Sequence, residues 1–212
     1  MRLLAAGALL LVLAGCGSSV GDTPSPVTSP GPQATGACAA IPTIDPNNPP
    51  DTLPLTADPT LEAEFPTQID GQDVTDLASG RWLETLCMLG GQASVDAAQL
   101  NLPPGLDLSP MTVASATATV DGSSVTIVAY RLPGHGADEI LGVLGDVSGA
   151  LSSQRPTLTS SLSPATAGGK DVSRWTNPAD GTDTYVYASG DTLWMVRSID
   201  ESQADKIFAT LP

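Results

Sequence analysis

Two stretches of the sequence decide the fold. Residues 120–128 read VDGSSVTIV, and residues 188–196 read ASGDTLWMV. In each stretch, runs of strand-forming residues flank a tight turn that contains glycine, which is the pattern of a β-hairpin. We therefore expect one hairpin in each half of the domain.

A helical pattern follows each hairpin. Residues 137–140 with Leu144 align with residues 204–207 with Leu211. The second segment has apolar residues at i, i+3, i+4 and i+7, which form one stripe on a helix. These residues are Ala204, Ile207, Phe208 and Leu211. The first segment has a similar stripe that is weakened by glycines, and its members are Ile140, Leu141, Val143, Leu144, Val147 and Leu151.

A third match upstream suggests an internal repeat. Residues 66–75 read PTQIDGQDVT, and residues 164–173 read PATAGGKDVS. Three matches in the same order predict two duplicated units, each made of an extended segment, a hairpin and a helix. We therefore expect an α+β fold in which one antiparallel sheet carries its helices packed on one face.

The domain is expected to span residues 61–212, with the halves at about 61–153 and 154–212. The first half also contains an insert at residues 81–110, for which apolar residues predict one or two short helices ending at a Pro-Pro-Gly sequence. This insert is where the two halves differ. It either carries specificity or covers a part of the sheet that would otherwise be bare.

The beginning of the chain has the pattern of an export signal. A lone Arg2 precedes an apolar run over residues 3–13, which is too short to cross a bilayer as a helix. The run ends in Leu13-Ala14-Gly15-Cys16.

This ending resembles the lipobox of bacterial lipoproteins. The resemblance implies that residues 1–15 are a signal peptide and that Cys16 becomes the first residue of the mature chain. Cys16 would carry a diacylglyceryl group with acyl chains such as palmitate. The protein would be anchored to the outer face of the bacterial cell membrane, or to another envelope membrane. An ordinary cleaved signal and a retained membrane helix are the alternatives.

Residues 16–60 are expected to connect the anchor to the domain. Eleven of the 19 prolines lie between Pro24 and Pro66, and proline prevents regular helices and sheets there. Residues 17–37 are also poor in apolar side chains, which predicts a disordered tether. The last third of the chain, with its GGKDV, YVY and GDTLW sequences, is similar to exported bacterial domains of unassigned function. That similarity implies no site residues.

Charge and cysteine content limit the possible partners. The chain has 23 acidic and 8 basic residues, so it lacks the basic surface that nucleic acid requires. Besides Cys16 there are two cysteines, Cys38 and Cys87, which in an oxidising compartment predict a disulfide, with two free thiols as the alternative. His135 is the only histidine. We expect no metal site and no cofactor.

The sequence contains no recognisable catalytic constellation. A pair of His135 with a serine stays open, although an exposed loop histidine is the simpler interpretation. Aromatic residues concentrate late in the chain, and we take Trp175, Tyr185 and Tyr187 as candidate ligand-binding residues. For Trp194, packing beneath the last helix is the favoured interpretation.

These observations favour a non-catalytic binding or interaction module of the cell envelope. Its partners would be the membrane, through the lipid anchor, and an envelope protein or a small-molecule ligand. An envelope hydrolase with an unrecognised site and a structural envelope protein are the alternatives.

Overall fold

The computed structural model describes residues 38, 39, 41, 55–100, 102, 105–151, 162–176 and 181–212. Its fold is α+β, as predicted, with a seven-stranded antiparallel sheet, a separate two-stranded sheet and flanking helices. In chain order the elements are α1 (Pro59–Glu62), β1 (Gln68–Ile69), β2 (Gln72–Asp73), β3 (Thr75–Arg81), α2 (Trp82–Leu100), β4 (Thr112–Val120), β5 (Ser123–Arg131), α3 (Ala137–Leu151), β6 (Ser163–Ala167), β7 (Lys170–Thr176), β8 (Asp183–Ser189), β9 (Thr192–Ile199) and α4 (Glu201–Phe208).

Both predicted hairpins are present, as β4–β5 and β8–β9. Asp121 and Gly122 connect the first pair with φ angles of 51° and 77°, and Gly190 begins the second turn with φ 61°. Positive φ at these positions matches the turn twist to the strand twist. The turn residues therefore set the register of the strands on either side.

The two hairpins lie side by side at the centre of the large sheet. The strand order is β3-β4-β5-β9-β8-β7-β6, and β5 pairs antiparallel with β9. Ile127 lies opposite Val196, and Arg131 lies opposite Thr192. This central pairing joins the two halves of the chain into one sheet.

The helices cover both faces of the sheet, so the prediction that they pack on one face is wrong. Alternate residues of β9 point to opposite faces. Trp194 and Val196 share a core with α4, whereas Leu193 and Met195 share a core with α3. We call the two sides the α4 face, covered by α1, β1–β2 and α4, and the α3 face, covered by α2 and α3.

The structure does not confirm the internal repeat. The alignment of the hairpins matches Ile127 with Met195, but Ile127 lies on the α4 face and Met195 on the α3 face. The third matched pair also differs in its position: β1–β2 is a sheet of its own, whereas β6–β7 forms one edge of the large sheet. What the halves share is the local order of hairpin and helix.

The α4 face holds the aromatic core. The rings of Phe65 and Trp194 meet edge to face with centroids 4.9 Å apart. Phe208 of α4 is fully buried and contacts the rings of Tyr185 and Tyr187. All four residues of the predicted α4 stripe are buried, so this helix is held by its apolar face.

Contacts with the domain extend upstream of residue 61. The backbone N–H of Asp58 donates to Ser79 Oγ at 2.6 Å, and Thr112 Oγ1 donates to Asp58 Oδ2 at 2.8 Å. Leu55 packs so closely on Gly80 that a Cβ at this glycine would lie 2.7 Å from the leucine side chain. Residues 55–58 therefore fasten the chain along β3, an outer strand of the sheet.

Candidate functional site: a pocket at the broken helix

A pocket lies on the α3 side of the domain, between α2 and the segment that follows it. Its volume is about 320 Å³, which is at the small end of the range for ligand sites, roughly 300–1,000 Å³. The described lining residues are Leu83, Gln99, Leu102, Gly105, Leu106, Asp107 and Leu108. All of them belong to the predicted insert, so this insert builds a cavity as well as covering the sheet.

A break in α2 creates the pocket. Gly91 has φ 64° and ψ −165°, which interrupts the helix at its middle. Leu83 lies before the break and Gln99 after it, and both line the cavity. In an unbroken helix these residues would be about 24 Å apart along the axis, too far to line a space of this size. The sequence prediction of one or two helices is thus resolved as two helical arms.

A disulfide clamps this break. The Sγ atoms of Cys38 and Cys87 are 2.08 Å apart, which confirms the predicted pairing. The backbone N–H of Cys38 also donates to Gln92 Oε1 at 3.1 Å. Cys87 precedes Gly91 and Gln92 follows it, so Cys38 is joined to both arms of α2.

Two of the leucines connect the pocket to the rest of the protein. Leu108 is 3 % exposed and belongs to the core of the α3 face, together with Trp82 and Met111. Leu83 packs against that core and also against the cluster of Cys38, Cys87 and Val95. The cavity wall is therefore continuous with both the core and the disulfide.

The polar groups of the lining are an amide and a carboxylate. Asp107 is exposed, and its Oδ1 accepts a hydrogen bond of 2.9 Å from the backbone N–H of Ser109. Hydrogen bonding by the Ser109 hydroxyl and backbone N–H lowers the pKa of Asp107 below its ordinary value. The carboxylate is therefore ionised at neutral pH. Four leucines with one amide and one carboxylate can bind a ligand and orient its polar end.

The predicted aromatic residues do not form one surface. Tyr185 and Tyr187 share the α4 face, as their spacing requires, but Trp175 pairs with Thr184 and points to the opposite face. Tyr185 is 1 % exposed, and Tyr187 is packed against the core. Burial raises the pKa of the Tyr185 hydroxyl, against the opposing effect of Arg174. Trp194 is fully buried on the α4 face, as the packing interpretation predicts.

His135 pairs with a neighbouring carboxylate. Its Nδ1 lies 2.9 Å from Glu139 Oε2, one helical turn further along, and both side chains are partly exposed. This is the geometry of a surface pair at the beginning of α3. A hydrolytic role for His135 would need a nucleophile beside it.

In the described ranges, three or more potential metal ligands nowhere come together. The helices described are also too short or too polar to cross a membrane. Cys16 and the predicted tether over residues 17–37 lie outside the described residues.

Comparison with known proteins found no matching family model, no matching curated protein and no matching solved structure. The sequence predicts the insert but not the pocket within it. The adjacent glycines Gly90 and Gly91 were the available signal, since paired glycines favour a break in a helix.

Proposed function

We propose that the protein is a lipid-anchored component of a bacterial cell envelope whose domain binds a small ligand without transforming it. The observation that carries the binding part is the pocket, in which Leu83, Leu102 and Leu106 face a space open to solvent. Half-buried leucines around a concave space favour occupation by an apolar group.

The anchor is supported by the sequence at Cys16. Acyl chains on this residue would hold the protein at the membrane, because two chains are enough for stable anchoring. The predicted tether of roughly 20 residues would give the domain a reach of about 25 Å. The domain would then bind its ligand close to the membrane surface.

The acidity of the chain is compatible with a covalent anchor in the envelope. With a formal charge of −15 at pH 7, the chain would be repelled by anionic headgroups and would not lie on them. A covalent anchor is compatible with such a surface, because attachment does not depend on headgroup attraction. The domain would therefore stand off the bilayer while remaining attached.

The anchor is tested with the wild type and a Cys16→Ser variant in a bacterial host that processes lipoproteins. We expect the wild type in the membrane fraction with a mass increased by acyl chains, and the variant soluble or unprocessed. A Cys38→Ser, Cys87→Ser double variant serves as the control and should remain acylated. A soluble wild type without acyl groups would contradict the anchor.

The binding function is tested by native mass spectrometry of protein taken from the host envelope. We expect a bound small molecule in the wild type and its loss in Leu106→Gln. Leu77→Gln is the matched control, because Leu77 is 40 % exposed on β3 and does not line the pocket. A protein that is empty in every preparation would favour a structural role, and turnover of the ligand would favour the hydrolase.

A further inference from the structure

The position of the pocket indicates where its ligand comes from. Leu83 is shared between the pocket and the disulfide cluster, and Cys38 of that cluster is the described residue nearest in sequence to the predicted anchor. A chain leading from the predicted anchor would therefore reach the domain at the pocket wall. A site held by a short linker experiences a high effective concentration of whatever lies at the other end of that linker.

The leucines of the lining indicate an alkyl chain. The four leucines come from two parts of the insert: Leu83 from the first arm of α2, and Leu102, Leu106 and Leu108 from the segment that follows α2. Leu83, Leu102 and Leu106 are half-buried, so they give the cavity aliphatic surface beside its polar groups. Linear alkyl chains suit such a space, since they adapt their torsions to an irregular aliphatic wall.

The polar groups of the lining indicate the head of the ligand. An ionised carboxylate is only an acceptor of hydrogen bonds, whereas an amide both accepts and donates. Asp107 therefore favours a head that donates hydrogen bonds and disfavours an anionic one. The excess of acidic residues over the whole chain acts in the same direction.

We propose that the pocket binds the alkyl chain of a single-chain membrane amphiphile whose neutral or cationic head donates a hydrogen bond to Asp107. This inference rests on the binding function proposed above. The amphiphile comes from the membrane in which the protein is anchored, and it is a molecule separate from the acyl groups on Cys16.

The direct test is calorimetric titration of the full-length Cys16→Ser chain, oxidised, with three probes of equal chain length. The probes are dodecylamine, dodecanol and dodecanoate, with the amine and the carboxylate kept below their micellar concentrations and the alcohol below its solubility limit. We expect saturable binding of one molecule per chain for the amine and the alcohol, and binding of dodecanoate weaker by about tenfold or more. Equal or tighter binding of dodecanoate would overturn the assignment of the head, and no saturable binding would overturn the assignment of the chain.

Variants locate the binding. Leu106→Gln should weaken the binding of dodecylamine by about tenfold, with Leu102→Gln as a second variant if the first unfolds. Leu77→Gln should bind as tightly as the unmodified chain. Asp107→Asn should reduce the preference for amine over carboxylate, while Asp138→Asn, an exposed change in the first turn of α3, should not. Loss of binding in Leu77→Gln would place the probe elsewhere.

The source of the alkyl chain is tested with the acylated wild type in vesicles. We expect it to bind dodecylamine as the Cys16→Ser chain does. If it does not, the pocket is filled by the protein's own acyl group, and the assignment to a separate amphiphile is wrong. If the envelope-derived protein carries a bound molecule that has no alkyl chain, the proposed binding function stands while this inference fails.

Discussion

The two faces of the sheet are built differently. On the α4 face, Phe65, Tyr185, Trp194 and Phe208 are buried in one continuous aromatic core, and α4 is fixed at its start by the capping box of Asp200 and Gln203. On the α3 face the core is mainly aliphatic, α2 is broken at Gly91, and a pocket opens beside the break. The comparison suggests that one face provides stability and the other provides the binding site.

The strongest test compares one apolar residue from each face. Phe208→Ala should lower the free energy of unfolding by about 4 kcal/mol, because it leaves a cavity in a closed core. Leu106→Ala, in the wall of an open pocket, should cost only about 1 kcal/mol, since its side chain is only partly buried. Chemical denaturation measures both values. Equal losses would show that the α3 face contributes as much to stability as the α4 face.

Removal of the disulfide should lower the stability of the whole domain and, in addition, loosen α2 on the α3 face. Cys38 and Cys87 are 49 residues apart, and a crosslink of this length stabilises by up to about 4 kcal/mol, mainly by restricting the unfolded chain. In a Cys38→Ala, Cys87→Ala variant we also expect the arms of α2 to move relative to each other. Amide hydrogen exchange in α4 should accelerate only as much as the loss of global stability requires. In α2 it should accelerate by more than that. Equal acceleration in both helices would remove the distinction between the faces.

Two neighbouring glycines provide a matched pair on the α4 face. Gly168 and Gly169 both have positive φ, 59° and 77°, in the β6–β7 turn. A Cβ on Gly168 would lie 2.1 Å from the backbone nitrogen of Ala209, whereas a Cβ on Gly169 would meet nothing within 4 Å.

Gly169→Ala should therefore cost about 1 kcal/mol, for the strained backbone alone. Gly168→Ala should cost about 2 kcal/mol more, because the turn must move away from the end of α4. Thermal unfolding of the two variants under the same conditions measures the difference. Equal midpoints would show that this turn is not packed against the helix.

The hairpins could be predicted because their signals are local. Asp121-Gly122 fits a turn that needs positive φ at both residues, and the alternation of Ala114, Ala116 and Ala118 defines the buried side of β4. The apolar stripe of α4 was equally clear. Each of these signals depends on neighbours within a few residues.

The face of the sheet that each helix covers could not be predicted in the same way. Asp200 alone separates β9 from α4, whereas residues 132–136 separate β5 from α3. The longer connection lets the chain cross the end of the sheet, so α3 reaches the opposite face. Apolar periodicity shows that a helix has a buried side, but it does not show which face of a sheet covers that side. The pocket escaped prediction because it depends on how two arms of a broken helix meet.

The smallest expected effect is on the acid dependence of stability, and it concerns one carboxylate from each face of the sheet. Partial burial raises the pKa of Asp58, but hydrogen bonds from Thr60, Thr112 and Leu61, with the charge of Arg131, outweigh it, so this pKa lies below the ordinary value of 3.8. The pKa of Asp107 is also lowered, but by Ser109 alone and at a fully exposed position. Only Asp58 connects separate elements, since it caps α1 and binds Thr112 of β4.

A lowered folded-state pKa means that the ionised form stabilises the fold, so this contribution is present above the unfolded pKa and is lost as the pH falls below about 3.8. Solvent screening keeps the contribution of Asp58 below about 1 kcal/mol. We expect Asp58→Asn, which keeps the shape and the cap, to lose less stability than the wild type between pH 5 and pH 3. Asp107→Asn should follow the wild type closely, because the hydrogen bonds to Asp107 come only from Ser109, two residues away, and can also form in the unfolded chain. Denaturation midpoints across this range measure the difference. If Asp107→Asn changed the acid dependence as much as Asp58→Asn, the pocket segment would be as tightly coupled to the fold as α1, and this difference between the two faces would disappear.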